Sequence, residues 1–182
     1  YNDNEYARVS AFFKDSLHTG LAMFQRMKPG FLAAMLYPKM MPCKNLSGVE
    51  QELLAIVAKD KKEINGFETI ANQSAAFDSI PLSQQASELL KSIDSFHSYQ
   101  KNFDQLIKGY LSQQITSFDT LFTDTLKGGF DARFEELLLN RRNRNWVDQL
   151  KKILPEKNIF IAVGAGHLVG EQGLIALLRK QG

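Results

Sequence analysis

A glycine-rich loop carrying one histidine stands near the end of the chain, between two apolar segments. Residues 159–163 form a short β-branched run, which has the length of a buried strand rather than of a helix. The run is followed by three glycines, Gly164, Gly166 and Gly170, and then by apolar side chains at helical spacing over residues 171–179. Because open α/β sheets bind ligands beyond the carboxyl ends of their strands, this pattern predicts that His167 lies at a reactive position.

The spacing of these glycines argues against a nucleotide loop. A dinucleotide fingerprint needs G-x-G-x-x-G, and here the third glycine comes one residue late. A P-loop would need Lys and Ser or Thr after the last glycine, and neither follows. The structural alternative is a tight strand-to-helix turn in which His167 hydrogen-bonds the backbone.

A second strand-to-loop unit is predicted earlier in the chain. Residues 63–67 have the pattern of a short strand, and Glu68 follows at its carboxyl end, as His167 follows its own strand. If the two strands are neighbours, the carboxylate and the imidazole emerge at the same sheet edge. The alternative for Glu68 is a capping role at the start of the next helix.

Helical periodicity covers most of the remaining chain. It predicts helices over residues 4–28, 83–112, 118–126 and 130–154, and a helix after Ser47 that buries Leu53, Leu54, Ile56 and Val57. The predicted fold class is therefore α/β, with a small, mostly parallel sheet and a large, predominantly helical insertion.

Composition limits the class of protein. The chain has 182 residues, enough for one domain with a core, and its 44% hydrophobic and 23% charged residues are typical of a globular protein. A net charge of +2 does not favour a nucleic-acid partner. Cys43 is the one cysteine, which excludes an internal disulfide and a cysteine-based zinc site.

Four motifs precede the glycine-rich block Gly164 to Gly182, namely Lys28-Pro29, Gly48-Val49-Glu50, Gly66-Phe67-Glu68-Thr69 with Gln73, and Arg142-Asn143-Arg144-Asn145-Trp146. In this order they resemble motifs of the TraB/PrgY/GumN family, with the Tiki proteases as relatives and the erythromycin esterases and ChaN-like proteins as more remote ones. The block from Gly164 to Gly182 resembles the family's C-terminal signature. The resemblance implies a single domain over residues 1–182, and we expect further sequence at the N-terminus and at the C-terminus.

The resemblance assigns a role to one of three clustered arginines. Arg141 and Arg144 are expected on a solvated helix face, whereas Arg142 matches the family's recurrent arginine. Its guanidinium is predicted either to bind a substrate carboxylate or an oxyanion, or to orient Glu68 through an ion pair. Arg141 stands where the family often has an acidic residue.

The family's two G-x-x-H motifs imply a metal site. Gly164-x-x-His167 matches the second motif, and neither His18 nor His97 follows a glycine at the required spacing. His167 and Glu68 are therefore expected to ligate a divalent metal, together with ligands outside this chain, while His167, Glu68 and Arg142 form the catalytic group. In this chain by itself the metal is expected to be incompletely bound.

These implications lead to two hypotheses from different classes. The first is a metal-dependent, peptidase-like hydrolase acting on a peptide or small-molecule substrate. The second is a non-catalytic protein that binds a peptide or another ligand in the same cleft. A haem or iron handler, implied by the remote ChaN resemblance, has only His167 and the methionines to support it. By analogy with the family, a periplasmic, secreted or membrane-anchored location is expected, with any membrane association through the absent termini.

Overall fold

A computed structural model describes residues 1–43, 45–129 and 135–181. The described chain is helical. The α-helices are α1 (Asp3–Leu17), α2 (Pro29–Ala34), α3 (Tyr37–Met40), α4 (Val49–Lys59), α5 (Ile70–Asp78), α6 (Leu82–Asp94), α7 (Phe96–Leu111), α8 (Ile115–Gly129), α9 (Arg141–Ile153) and α10 (Leu174–Arg179). Short 3₁₀ turns cover Leu21–Phe24 and Ala165–His167, and a π-helical segment covers Glu136–Asn140.

The first hydrophobic core lies among the N-terminal helices and α6. Val9 and Phe13 of α1 are one helical turn apart and fully buried, which places them on a single face. They pack with Leu89 and Ile93 of α6, which have the same spacing. Residues from the segments between these helices complete the cluster, namely Leu21, Leu32, Leu36 and Met40.

The predicted α/β fold class is wrong for the described residues. Neither 63–67 nor 159–163 forms a strand, and the described ranges contain no sheet. Both segments have a strand-like sequence, but a strand needs a neighbouring strand to satisfy its backbone groups. Here each segment runs without a strand partner and rests one apolar side chain, Phe67 or Val163, on the core formed by α9 and α10.

Two predicted helices are shorter than their periodicity suggested. The helix expected over 4–28 ends at Leu17, where His18 adopts a left-handed conformation with φ 54° that terminates α1. The helix expected over 83–112 is divided at Ser95, whose φ of −109° lies outside helical geometry. Periodicity continues across both breaks because the apolar side chains on either side still face the same core.

The buried stripe predicted after Ser47 is also wrong. Helix α4 does form, but none of its residues is buried, and Leu54 and Ile56 are more than half exposed. Of the helix predicted over 130–154, residues 130–134 lie outside the described part, and the remainder is the π-helical segment followed by α9. In the described ranges, no helix has the length and apolarity required to cross a membrane.

The second core is built on α9. Asn143, Trp146, Val147 and Leu150 are buried and recur every three or four residues, so they occupy one face of this helix. Trp146 and Val147 pack against Leu174 at the start of α10. The same face of α9 therefore receives the extended segment before Glu68 and the glycine loop that carries His167.

Candidate functional site

Helix α9 joins the two parts of the chain in which candidate site residues were predicted. The indole ring of Trp146 stacks on Phe67, with ring centroids 5.4 Å apart. On the same indole, the His167 ring centroid lies at 4.5 Å and Cζ of Arg142 at 4.9 Å from the ring centre. The three predicted site residues thus lie around the indole ring of Trp146. His167 and Arg142 contact the ring, and Glu68 directly follows Phe67 and contacts Arg142.

Glu68 and Arg142 form an ion pair. Nε of Arg142 donates to Oε1 of Glu68 at 2.8 Å, and Nη2 donates to the same oxygen. The two side chains are only 19% and 16% exposed, respectively, so water screens their attraction less than at an open surface. Of the two roles predicted for Arg142, this geometry corresponds to the one that orients Glu68.

The third donor group of Arg142 is also occupied. Nη1 donates to the carbonyl oxygen of Leu138 at 2.7 Å. Leu138 lies in the π-helical segment, where the amide of Arg141 bonds the carbonyl five residues back, at Glu136. Such segments within helices are frequently found at functional sites. The π-helical segment thus supplies the carbonyl group that fixes the Arg142 guanidinium.

Glu68 does not cap the helix that follows it. The N-cap of α5 is Thr69, whose hydroxyl oxygen accepts a hydrogen bond from the amide of Asn72 at 3.2 Å. The carboxylate of Glu68 is therefore directed at Arg142 instead. The neighbouring backbone is held as well, because Nε2 of Gln149 on α9 donates to the carbonyl of Phe67 at 3.0 Å.

His167 ends the 3₁₀ turn Ala165–His167 and is buried, with 8% of its surface exposed. Its Nδ1 lies 2.7 Å from Oδ1 of Asn143. Nδ2 of the same asparagine donates to the carbonyl of Gln172 at 2.8 Å, which leaves Oδ1 as the acceptor. Nδ1 of His167 must then carry the proton, and Nε2 holds the lone pair of the neutral ring.

The surroundings of His167 favour this neutral form. Burial lowers the pKa of His167 to about 4, the Arg142 guanidinium acts in the same direction, and the Glu68 carboxylate opposes them. The imidazole is therefore uncharged at neutral pH. A ring with so low a pKa is a weak proton acceptor but a constantly available electron-pair donor.

Sequence reasoning missed Asn143 and Trp146 as parts of the site. Both lie in the block matched to the family, and their spacing from one another places them on the same face of α9. That spacing was the available signal, because the polar Asn143 shares the periodicity of the buried apolar residues. Arg144, by contrast, pairs with Glu136 at the surface, as its predicted exposure suggested.

Two side chains of the site, those of His167 and Glu68, are of types that bind metal ions. A neutral imidazole whose other nitrogen is held by a hydrogen bond, and a carboxylate, are both common metal ligands. They are two groups where a catalytic site has about three, and Oε1 of Glu68 is already engaged by Arg142. Within residues 1–43, 45–129 and 135–181, no three His, Cys, Asp or Glu side chains cluster as metal ligands. The described residues therefore do not complete a metal site.

Comparison with known proteins agrees with the resemblance found in the sequence. The model of the TraB/PrgY/gumN family matches residues 1–182. The chain is 26% identical over 132 residues to the uncharacterized protein YbaP of Escherichia coli (strain K12), covering 72% of this chain and 48% of that protein. YbaP of Shigella flexneri matches to the same extent. The chain thus spans about half the length of these curated relatives.

No solved structure matches the chain. The family match extends over all of the elements that form the site, from the segment before Glu68 to α9 and the glycine loop. The predicted resemblance is confirmed, and the chain is a member of the TraB/PrgY/gumN family.

Proposed function

We propose that this chain carries part of the active site of a metal-dependent hydrolase that cleaves amide bonds in peptides. The single observation that carries the proposal is the hydrogen bond between Asn143 and His167, because it directs the Nε2 lone pair away from Asn143. Nε2 is therefore the ring nitrogen that His167 can offer to a ligand.

Each residue has a distinct role in this proposal. His167 offers Nε2 as an electron-pair donor, and Asn143 holds the ring in the tautomer that leaves this atom unprotonated. Arg142 orients Glu68 through two hydrogen bonds to Oε1. Trp146 supports His167 and Arg142 from one side, which limits their motion relative to each other.

A divalent metal ion, when bound, supplies Lewis-acid activation of water. Among the described residues, His167 and Glu68 are the donors assigned to the ion, and the remaining ligands would come from outside the described ranges. Arg142 donates to Oε1 of Glu68, so the second carboxylate oxygen would be the one left to hold the ion.

The experiment is a peptide-hydrolysis assay with added Zn²⁺ or Mn²⁺ on the protein at the length of its curated relatives, so that ligands beyond the described residues are present. The products of a mixed peptide library are identified by mass spectrometry. We expect cleavage that requires the ion and falls at least ~100-fold in His167→Gln and Glu68→Gln, as expected for removal of a group from a catalytic constellation. His97→Gln is the matched control, because His97 is an exposed histidine on α7. Cleavage that is unchanged in both site variants would refute the proposal.

A second candidate function is non-catalytic binding of a peptide or another ligand. It is favoured by a cavity of about 290 Å³ that is partly walled by Ala165 and Leu168, beside His167. A binding protein would retain its ligand in the presence of a chelator and release it chemically unchanged. The hydrolase would convert it only when the ion is present.

A further inference from the structure

The 3₁₀ turn that holds His167 has a second face. Residues three apart in such a turn lie above one another, so Ala165 and Leu168 share a face and His167 points elsewhere. Ala165 and Leu168 form one wall of the cavity of about 290 Å³. A group in this cavity therefore contacts the same short turn that positions the imidazole.

The opposite wall comes from the end of α7 and the start of α8. Phe118 is buried and forms the floor, and the ring of Tyr110 meets it edge-on at 6.2 Å. Leu111 and Ile115 line the cavity and remain 70% and 45% exposed. Large apolar side chains that stay exposed around a concave site are typical of a ligand-binding surface.

The polar groups of the cavity are uncharged. None of its lining residues is Asp, Glu, Lys, Arg or His. Gln113 lies in the connection between α7 and α8 with a φ of 57°, in the left-handed region that few residues other than glycine adopt. Gln113 lines the cavity, and its side-chain amide can both donate to and accept from a bound peptide group.

Phe118, on the cavity floor, is connected to the turn Ala165–His167 by packed aromatic side chains. Phe118 stacks on Phe122, with centroids 5.6 Å apart. A Cβ atom at Gly166 would collide with the ring of Phe122, whose Cε1 would be only 3.0 Å away. Gly166 is thus packed directly on the aromatic pair, and a ligand pressed against Phe118 is supported by the same residues that support the His167 turn.

We infer that this cavity binds a large apolar side chain of a peptide substrate, next to the residue whose amide bond is presented to His167. The inference rests on the proposed function and specifies its substrate class. An apolar lining excludes a charged side chain because the charge would lose its hydration without a partner. The amide of Gln113 at the cavity provides a hydrogen-bonding partner for the peptide backbone.

The test uses N-acetyl-phenylalanine amide and N-acetyl-alanine amide as probes, with binding to the chain followed by two-dimensional NMR. We expect the phenylalanine probe to bind at least about tenfold more tightly, which corresponds to ~1.4 kcal/mol. The largest shifts should occur at Tyr110, Ile115, Phe118 and Leu168. An N-acetyl-glutamate amide probe should bind no better than the alanine probe.

Two arginine variants distinguish this cavity from general hydrophobic binding. Ile115→Arg places a charge in the cavity and should weaken binding of the phenylalanine probe at least tenfold, measured against the chain itself. Ile56→Arg makes the same change at an exposed position on α4, away from the cavity lining, and should leave binding unchanged. Equal binding of the two neutral probes, shifts at another surface, or full binding by Ile115→Arg would overturn the inference.

The outcome is separable from that of the hydrolase assay. Binding at the cavity together with cleavage that does not depend on His167 would reject the proposed function alone. Loss of binding selectivity with cleavage intact would reject the cavity inference alone.

Discussion

Oδ1 of Asn143 lies 2.7 Å from Nδ1 of His167, while Nδ2 of the same side chain donates to the carbonyl of Gln172 at 2.8 Å. One buried amide thus connects α9 to two points of the glycine loop, His167 and Gln172. Asn143 is 1% exposed, so neither hydrogen bond can be replaced easily by solvent. This residue gives the loop its position and gives the imidazole its tautomer.

Replacing Asn143 should therefore be costly. Asn143→Ala leaves the carbonyl of Gln172 and Nδ1 of His167 without their buried partner, and we expect the free energy of unfolding to fall by about 2 kcal/mol or more. Asn145→Ala, at an exposed position on the same helix, should change it by less than ~0.5 kcal/mol. Urea unfolding monitored by Trp146 fluorescence measures both. Equal losses of unfolding free energy in the two variants would show that the hydrogen bonds of the Asn143 amide do not stabilise the fold.

The Glu68–Arg142 pair should couple more strongly than a surface pair. A double-mutant cycle with Glu68→Gln and Arg142→Met should give a coupling free energy of about 1–2 kcal/mol, because both groups are largely shielded from water. The control is the Glu136–Arg144 pair, whose side chains are both 45% exposed and whose coupling should stay below ~0.5 kcal/mol. A coupling at Glu68–Arg142 no larger than the control would contradict a fixed ion pair.

The pH dependence of the free energy of unfolding should show the lowered pKa of His167. Its pKa is about 4 in the folded chain and near its ordinary 6.5 when unfolded, so between these values the unfolded state binds the proton first. The contribution of His167 to the free energy of unfolding should therefore be fully present above pH ~6.5 and should decline as the pH falls towards ~4. The loss through this group should be at most about 3 kcal/mol. Thermal unfolding of the chain and of His167→Gln across this range isolates the effect. The variant should show the shallower decline, and identical slopes would contradict the assignment.

Gly173 should tolerate no side chain. A Cβ atom there would contact the carbonyl oxygen of Val169 and would lie 2.6 Å from that of Leu168. Because these obstacles are backbone atoms, we expect Gly173→Ala to reduce the free energy of unfolding by more than ~2 kcal/mol. Gly48 is the matched control, since it is also the N-cap of a helix and its nearest neighbour would be a flexible side-chain atom of Gln51 at 3.6 Å. Similar losses in chemical unfolding of the two variants would argue against the packed loop.

The sequence predicted the contents of the site better than the fold around it. The glycine loop with His167, the helix after it and the Glu68–Arg142 ion pair were all anticipated, the last as one of two roles for the arginine. These features depend on short spacings and on charge. The prediction of a sheet was wrong, because a short β-branched run is equally compatible with an extended segment that packs on α9.

Other errors have related physical causes. Periodicity identified an amphipathic α4 but could not establish that another element covers its apolar face, and Leu54 and Ile56 are exposed. Asn143 was not singled out because a polar residue on a buried face is recognised only when its partners are known, and both partners come from the distant glycine loop. Local patterns specified the elements, while long-range contacts decided their environment.

The tautomer of His167 is the most direct test of the account. A long-range ¹H–¹⁵N NMR spectrum of the imidazole rings at pH 7, with the His167 signals identified by their loss in His167→Gln, reports which nitrogen carries the proton. We expect a neutral ring with Nδ1 protonated and Nε2 unprotonated, as the hydrogen bond to Asn143 requires. A ring protonated at Nε2, or a charged ring, would contradict it.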